Sequence, residues 1–273
     1  MLESWGILGW FVLASIAAVG PGMLLLNLVH GLNKSVGTLV LVALSYVPLF
    51  WWLRRRAGRR WMRPESAHRV PGWLYPALPV LVLAMLVLLS VLSYLHLPNW
   101  LHSLDTTART NPLLTLLFGV VIIPACEELL FRGIILPGLL RRYRPWLAIG
   151  QSALLFAVMH ANPAQSVPVF FVGLLLGTLF YYTRSLRVCW ALHALNNALA
   201  FGSSLRATAQ PNHRTIVDSF HGPMIYALCL LSSALFIGVV LWQLRQWAVR
   251  PLPALGAGGQ EANEPAVFMP DAG

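Results

Sequence analysis

The apolar stretch from 112 to 138 is broken by Glu127, Glu128 and Arg132 in the segment IIPACEELLFRGIIL. Charged side chains inside such a stretch are costly and call for a reason. Glu128 and Arg132 are spaced i,i+4 and share one helix face, with the acid on the favourable N-terminal side. Glu127 is turned about 100° from that face. This spacing predicts a division of roles: Arg132 neutralises Glu128, while Glu127 stays free to act as a general base, a role that burial of a carboxylate favours. An ion pair locking two helices together would account for Glu128 and Arg132, but it would leave Glu127 without a purpose.

Two further apolar segments carry polar groups. In SALLFAVMHAN, His160 follows Phe156 by four residues; in VCWALHALNNALAF, His193 and Asn197 are again i,i+4, with Asn196 off their face. Two donors on one face of an apolar helix can stabilise an oxyanion, although interhelical hydrogen bonding is an equally common use of His and Asn in bundles. A glutamate, two histidines and an asparagine on three separate helices form one candidate pocket. The residues after His160 are ANPA, so there is no HExxH; GxSxG and an intramembrane aspartate pair are also absent. Zincin-like, nucleophile-elbow and aspartyl readings are thereby set aside.

The elements that must carry these residues are membrane helices. Of 273 residues, 58% are hydrophobic and 10% charged, against about 25% charged in a soluble domain. The apolar residues fall in long runs, which read as spans. Eight helices are predicted, over about 5–29, 36–53, 73–96, 112–138, 146–161, 165–183, 187–204 and 222–245. The fifth and seventh are short, as expected of helices that line a cavity inside a bundle. The fifth must be short, tilted or re-entrant for His160 to reach the depth of Glu127. Gly173 and Gly177, spaced as GLLLG, predict a close helix contact.

The formal net charge is +10. The arginines gather at Arg54–Arg69, Arg141–Arg144, Arg184–Arg187 and Arg245–Arg250, whereas Lys34, Arg109, Arg206 and Arg214 lie on the alternate side. That alternation points to topology and anionic lipids, not nucleic acid, and places both termini in the cytoplasm. Cys126, Cys189 and Cys229 are scattered in apolar stretches and read as small buried hydrophobes, not a disulfide framework. The start MLESWGILGW lacks a basic segment, so a retained first span is expected. The tail after Pro251 is rich in Pro, Gly and Ala and is expected to be disordered. The predicted organisation is 1–109, N-terminal helices; 110–204, a four-helix core; 205–250, the last loop and helix; and 251–273, the tail.

On these residues the chain resembles the CPBP intramembrane proteases, also called the CAAX-processing and bacteriocin-immunity family. Glu127-Glu128 with Arg132 resembles the family's EExxxR motif, Phe156 with His160 its FxxxH motif, and His193 with Asn197 its HxxxN motif. The resemblance covers about residues 110–204. It implies that Glu127, assisted by His160, activates a water; that His193 and Asn197 hold the oxyanion; and that Glu128, Arg132 and Phe156 support them. A glutamate-type mechanism requires no metal and is preferred. Glu127, His160 and His193 are nonetheless of ligand types that zinc accepts.

The expected activity is therefore hydrolysis of a peptide bond in a membrane-associated peptide or protein. The alternative is a noncatalytic scaffold or immunity protein keeping the same fold. An ion-linked transporter is weaker, because it leaves the HxxxN face unexplained. Abundant Arg, Ala and Leu with almost no Lys indicates a GC-rich bacterial genome and hence a bacterial inner membrane. Prenylated CAAX proteins are not expected there, so the CAAX name is read as a family label.

Overall fold

The computed structural model describes residues 70–99, 112–209, 220 and 222–249, with ten positions between 6 and 55. Most of the first two expected helices, most of the Arg54–Arg69 loop and the tail lie outside the described residues. Those described between 37 and 55, Tyr46 among them, are helical.

Among the described residues the protein is all-helical, without strands. Six helices follow one another: α1 (Leu74–Leu89, continued as a 3-10 turn over Ser90–Leu95), α2 (Pro112–Leu140), α3 (Pro145–Met159), α4 (Pro163–Thr183), α5 (Leu186–Ala209) and α6 (Pro223–Val249). Proline opens α2, α3, α4 and α6. The first turn has no partner for its N–H groups, so a residue lacking one fits there, and its fixed φ suits the helix. Proline also drives the preceding residue out of helical geometry: Arg144 has φ −57° and ψ 146°, and Asn162 has φ −140° and ψ 111°. At its other end α4 stops at Arg184, which turns left-handed at φ 49° and returns its N–H to the carbonyl of Phe180.

Among the described residues four helices are long and apolar enough to cross a membrane: Leu74–Leu95, Pro112–Leu140, Pro163–Thr183 and Pro223–Ala248. They correspond to four of the eight expected spans. α3 has 15 residues, a length of about 22 Å, short of a hydrocarbon core of about 30 Å. α5 has 24 residues, but His193, Asn196 and Asn197 make it too polar to read as a simple span.

Packing is closest between α3 and α4. A β-carbon on Gly173 would lie 3.1 Å from both Cα and Cβ of Ala153, and one on Gly177 would lie 3.0 Å from Cγ2 of Ile149. The expected GLLLG contact is thus made, and its partner is the short helix α3. Lipid offers no hydrophobic gain for helix association, so close backbone approach of this kind is a main source of cohesion. Leu130, Phe131, Leu136, Leu155, Phe156 and Leu176 fill the interior beside it.

Within α2 the chain departs twice from α-helical geometry. Leu116–Ile122 and Phe131–Ile135 are π-helical and flank the α-helical Ile123–Leu130, which carries both glutamates. A π-turn widens the helix and releases carbonyls from the regular i→i−4 ladder, and it often marks a functional segment.

Candidate active site

α2 presents Glu127, Glu128 and Arg132 toward α4 and α5, and all three are buried. Arg132 is fully enclosed, and Glu128 is 1% exposed. Arg132 Nη1 donates to Glu128 Oε1 at 2.9 Å, forming the i,i+4 pair, and its Nη2 donates to the carbonyl of Gly173 on α4 at 3.0 Å. The guanidinium also lies over the Phe156 ring, 4.8 Å from its centroid. One cation therefore ties α2 to α4 and rests on α3. A buried charge needs such partners on several sides. Glu128 Oε2 and Arg132 Nε have no hydrogen-bond partner among the described residues.

His193 on α5 meets both glutamates. Its Nδ1 lies 2.8 Å from Glu128 Oε1, and its Nε2 lies 3.6 Å from Glu127 Oε2. Glu128 Oε1 already accepts from Arg132 and accepts again here, so Nδ1 carries the hydrogen in that contact. Nε2 is then the atom through which His193 addresses Glu127. Glu127 is not isolated, as its position off the Glu128–Arg132 face had suggested. The Tyr46 hydroxyl approaches Glu127 Oε1 at 3.5 Å, so the carboxylate is contacted at both oxygens.

Asn197 turns its amide to the main chain: Nδ2 donates to the carbonyl of Gly119 at 3.0 Å, while Asn196 Nδ2 reaches Asn197 Oδ1 at 3.4 Å. Trp190 Nε1 donates to the carbonyl of Val121 at 3.1 Å. Both carbonyls belong to the first π-helical segment, so α5 satisfies acceptors that the widened turn sets loose. Asn197 thereby fixes the segment leading into the glutamates.

His160 caps the C-terminus of α3, with Nδ1 2.9 Å from the carbonyl of Phe156. A carbonyl can only accept, so Nδ1 donates and Nε2 is left as an acceptor in the neutral ring. No hydrogen bond or ion pair joins His160 to Glu127 among the described residues. The Phe156 ring stands edge-on to both histidines, with centroids 5.0 Å from His160 and 5.7 Å from His193. Phe156 thus stands between the two imidazoles as an apolar spacer. An apolar groove of about 490 Å³ runs along α4 between Leu88, Leu175 and Ile237; none of the polar residues above lines it.

The residue types Glu127, His160 and His193 suit zinc, but they do not gather around one point. Among the described residues no group of three or more His, Cys, Asp or Glu could hold a metal ion.

The sequence reading missed Tyr46. Its only signal was a hydroxyl within an apolar segment, LVALSYVPLF. It also missed the carbonyls of Gly119 and Gly173, because main-chain acceptors leave no trace in residue types.

No curated protein and no solved structure matches the chain. Residues 109–199, which hold the glutamate pair, Arg132, Phe156, both histidines and Asn197, match the family model described as Type II CAAX prenyl endopeptidase Rce1-like, a match consistent with the CPBP/CAAX protease family.

Proposed function

We propose that the chain is an intramembrane endopeptidase in which Glu127 is the general base and His193 the principal oxyanion donor. The single observation that carries this reading is the bridging position of His193. One imidazole is backed at Nδ1 by the arginine-paired carboxyl group of Glu128 and faces Glu127 with Nε2.

In the proposed cycle Glu127 acts as the proton acceptor and His193 donates from both ring nitrogens. Glu127 takes a proton from a water whose other hydrogen is accepted by Nε2 of His160. The resulting hydroxide oxygen bonds to the scissile carbonyl carbon, and the carbonyl π pair moves onto oxygen. That oxyanion receives the Nε2–H of His193, a charge-assisted bond that Glu128 supports from behind. When the intermediate collapses, the C–N bond breaks and Glu127 delivers its proton to the departing nitrogen. Glu127 thus returns to its starting state, as a base acting later as acid must. Asn197 acts in this scheme by holding Gly119 and, through it, the helical segment before the glutamates. The substrate class is a membrane-associated peptide or protein that reaches the bundle from the lipid.

Glu127→Gln tests the reading. It preserves size but removes the acceptor of the proton, and loss of a general base costs roughly 10²–10⁴-fold. Membrane proteomics of cells carrying Glu127→Gln should reveal a precursor that the wild type processes. An identical set of processed proteins in both would sink the proposal.

A second reading draws support from the Asn197–Gly119 bond, since an amide already engaged by the main chain suits a scaffold as well. In that noncatalytic reading the network serves helix packing alone. Glu127→Gln would then lower stability and leave the membrane proteome unchanged.

A further inference from the structure

Tyr46 lies outside the segment 109–199 that matches the family model, yet it reaches into the site. Its side chain is almost fully enclosed, at 2% exposure, and its ring stacks on Phe50 with centroids 6.0 Å apart. The hydroxyl ends 3.5 Å from Glu127 Oε1, on the oxygen that His193 does not contact. Glutamate has three side-chain torsions, and the last is broad and roughly two-fold. One contact at Oε2 leaves the carboxylate free to swing about that torsion. A second contact at Oε1, made by a buried ring that cannot itself swing, removes the freedom.

We infer that Tyr46 is a positioning residue for the base: its hydroxyl donates to Oε1 of Glu127 and holds the carboxylate plane so that Oε2 stays toward His193 and the reacting water. This rests on the endopeptidase reading and extends it, because the base is completed by a helix that the family match does not include. At 3.5 Å the bond is long for a hydroxyl donor, which suits a group that orients a carboxylate without competing for its proton. A misplaced reacting group costs rate more than binding. Removing the hydroxyl should therefore lower kcat and leave KM in place.

The experiment uses the full chain in lipid nanodiscs as wild type, Tyr46→Phe and Glu127→Gln. The probe is a fluorescence-quenched peptide anchored by one farnesyl group, standing for the membrane-associated class of substrate proposed above and not for a native CAAX protein. Tyr46→Phe keeps the ring and its packing, so its thermal unfolding should match the wild type. Its kcat should fall about tenfold with KM unchanged, the scale of one hydrogen bond to a charged group. An inactive Glu127→Gln beside a Tyr46→Phe of full kcat would overturn the role of Tyr46 alone. A Glu127→Gln that cleaves at the wild-type rate would overturn the endopeptidase reading itself. A fall in kcat accompanied by an equal loss of thermal stability would make Tyr46 a packing residue and refute the inference.

Infrared difference spectroscopy decides independently of turnover. The chain has 9 Asp and Glu, so the carboxylate band that disappears in Glu127→Gln can be assigned. That band should shift in Tyr46→Phe, and an unmoved band refutes the hydrogen bond whether or not the peptide is cleaved.

Discussion

Glu127 and Glu128 are adjacent in sequence and alike in chemistry, so their neighbours alone set their roles. Glu128 is enclosed by Arg132 and His193 Nδ1, both on its Oε1. Glu127 meets the Tyr46 hydroxyl and His193 Nε2. Glu128→Gln should consequently be a stability variant first. It leaves Arg132 buried without its counter-charge, a change that costs on the order of 3–5 kcal/mol. Replacing Glu128 and Arg132 together by leucine should recover part of that loss, since an apolar pair carries no desolvation penalty. It should not recover cleavage, because His193 loses the carboxylate behind it. Thermal unfolding and peptide cleavage on the same preparations check both halves. Full cleavage in the leucine pair would show that Glu128 plays no part beyond packing.

At the scale of elements, the site depends on how closely α3 and α4 approach. Gly173 supplies both the close contact to Ala153 and the carbonyl that Arg132 grips. In Gly173→Ala the new methyl would meet main chain at 3.1 Å, which a rotamer change cannot relieve. The helices must part by a few tenths of an ångström, with an expected loss of about 1–3 kcal/mol and a weaker hold on Arg132. Gly138, with nothing within 4 Å of an added β-carbon, is the control: Gly138→Ala should be neutral or slightly stabilising, through helix propensity. Equal unfolding temperatures for the two variants would contradict the close-contact account. The π-helical segments belong to the same scale. Two carbonyls of the first segment, those of Val121 and Gly119, are met by Trp190 and Asn197, so α5 holds that part of α2 while placing His193 between the glutamates.

For the whole molecule, the arginine alternation predicts that the Arg54–Arg69 loop and the segment around Asp105 face opposite sides of the membrane, with the loop in the cytoplasm. Apart from Arg55, both regions lie outside the described residues, so compartment reporters fused at each are the direct check. Reporters that score alike would remove the eight-span arrangement. The described helices set a second constraint: α2 and α4 are both long enough to cross, whereas α3 between them is not. The Phe156 ring, in edge-on contact with both imidazoles, keeps His160, the cap of α3, beside His193.

Much of this protein was legible in its residues taken in order. Long apolar runs demanded helices, because lipid offers no partner to an open backbone. The i,i+4 spacing paired Glu128 with Arg132, and GLLLG announced a close contact. Helix periodicity determines which side chains of one helix share a face, and those inferences used nothing else. Partners on other helices depend on tilt, depth and rotation, which periodicity does not contain. Glu127 and Glu128 diverge by about 100°, and from that angle alone no common partner was expected. The tertiary structure wedges the His193 ring against their helix, where two flexible side chains can reach its two nitrogens. It likewise sends Asn197 to the main chain of α2, holds His160 on its own helix, and brings Tyr46 from a distant part of the chain onto the base. Each of these placements depends on how whole helices pack, as in the close approach of α4 to α3 at Gly173 and Gly177.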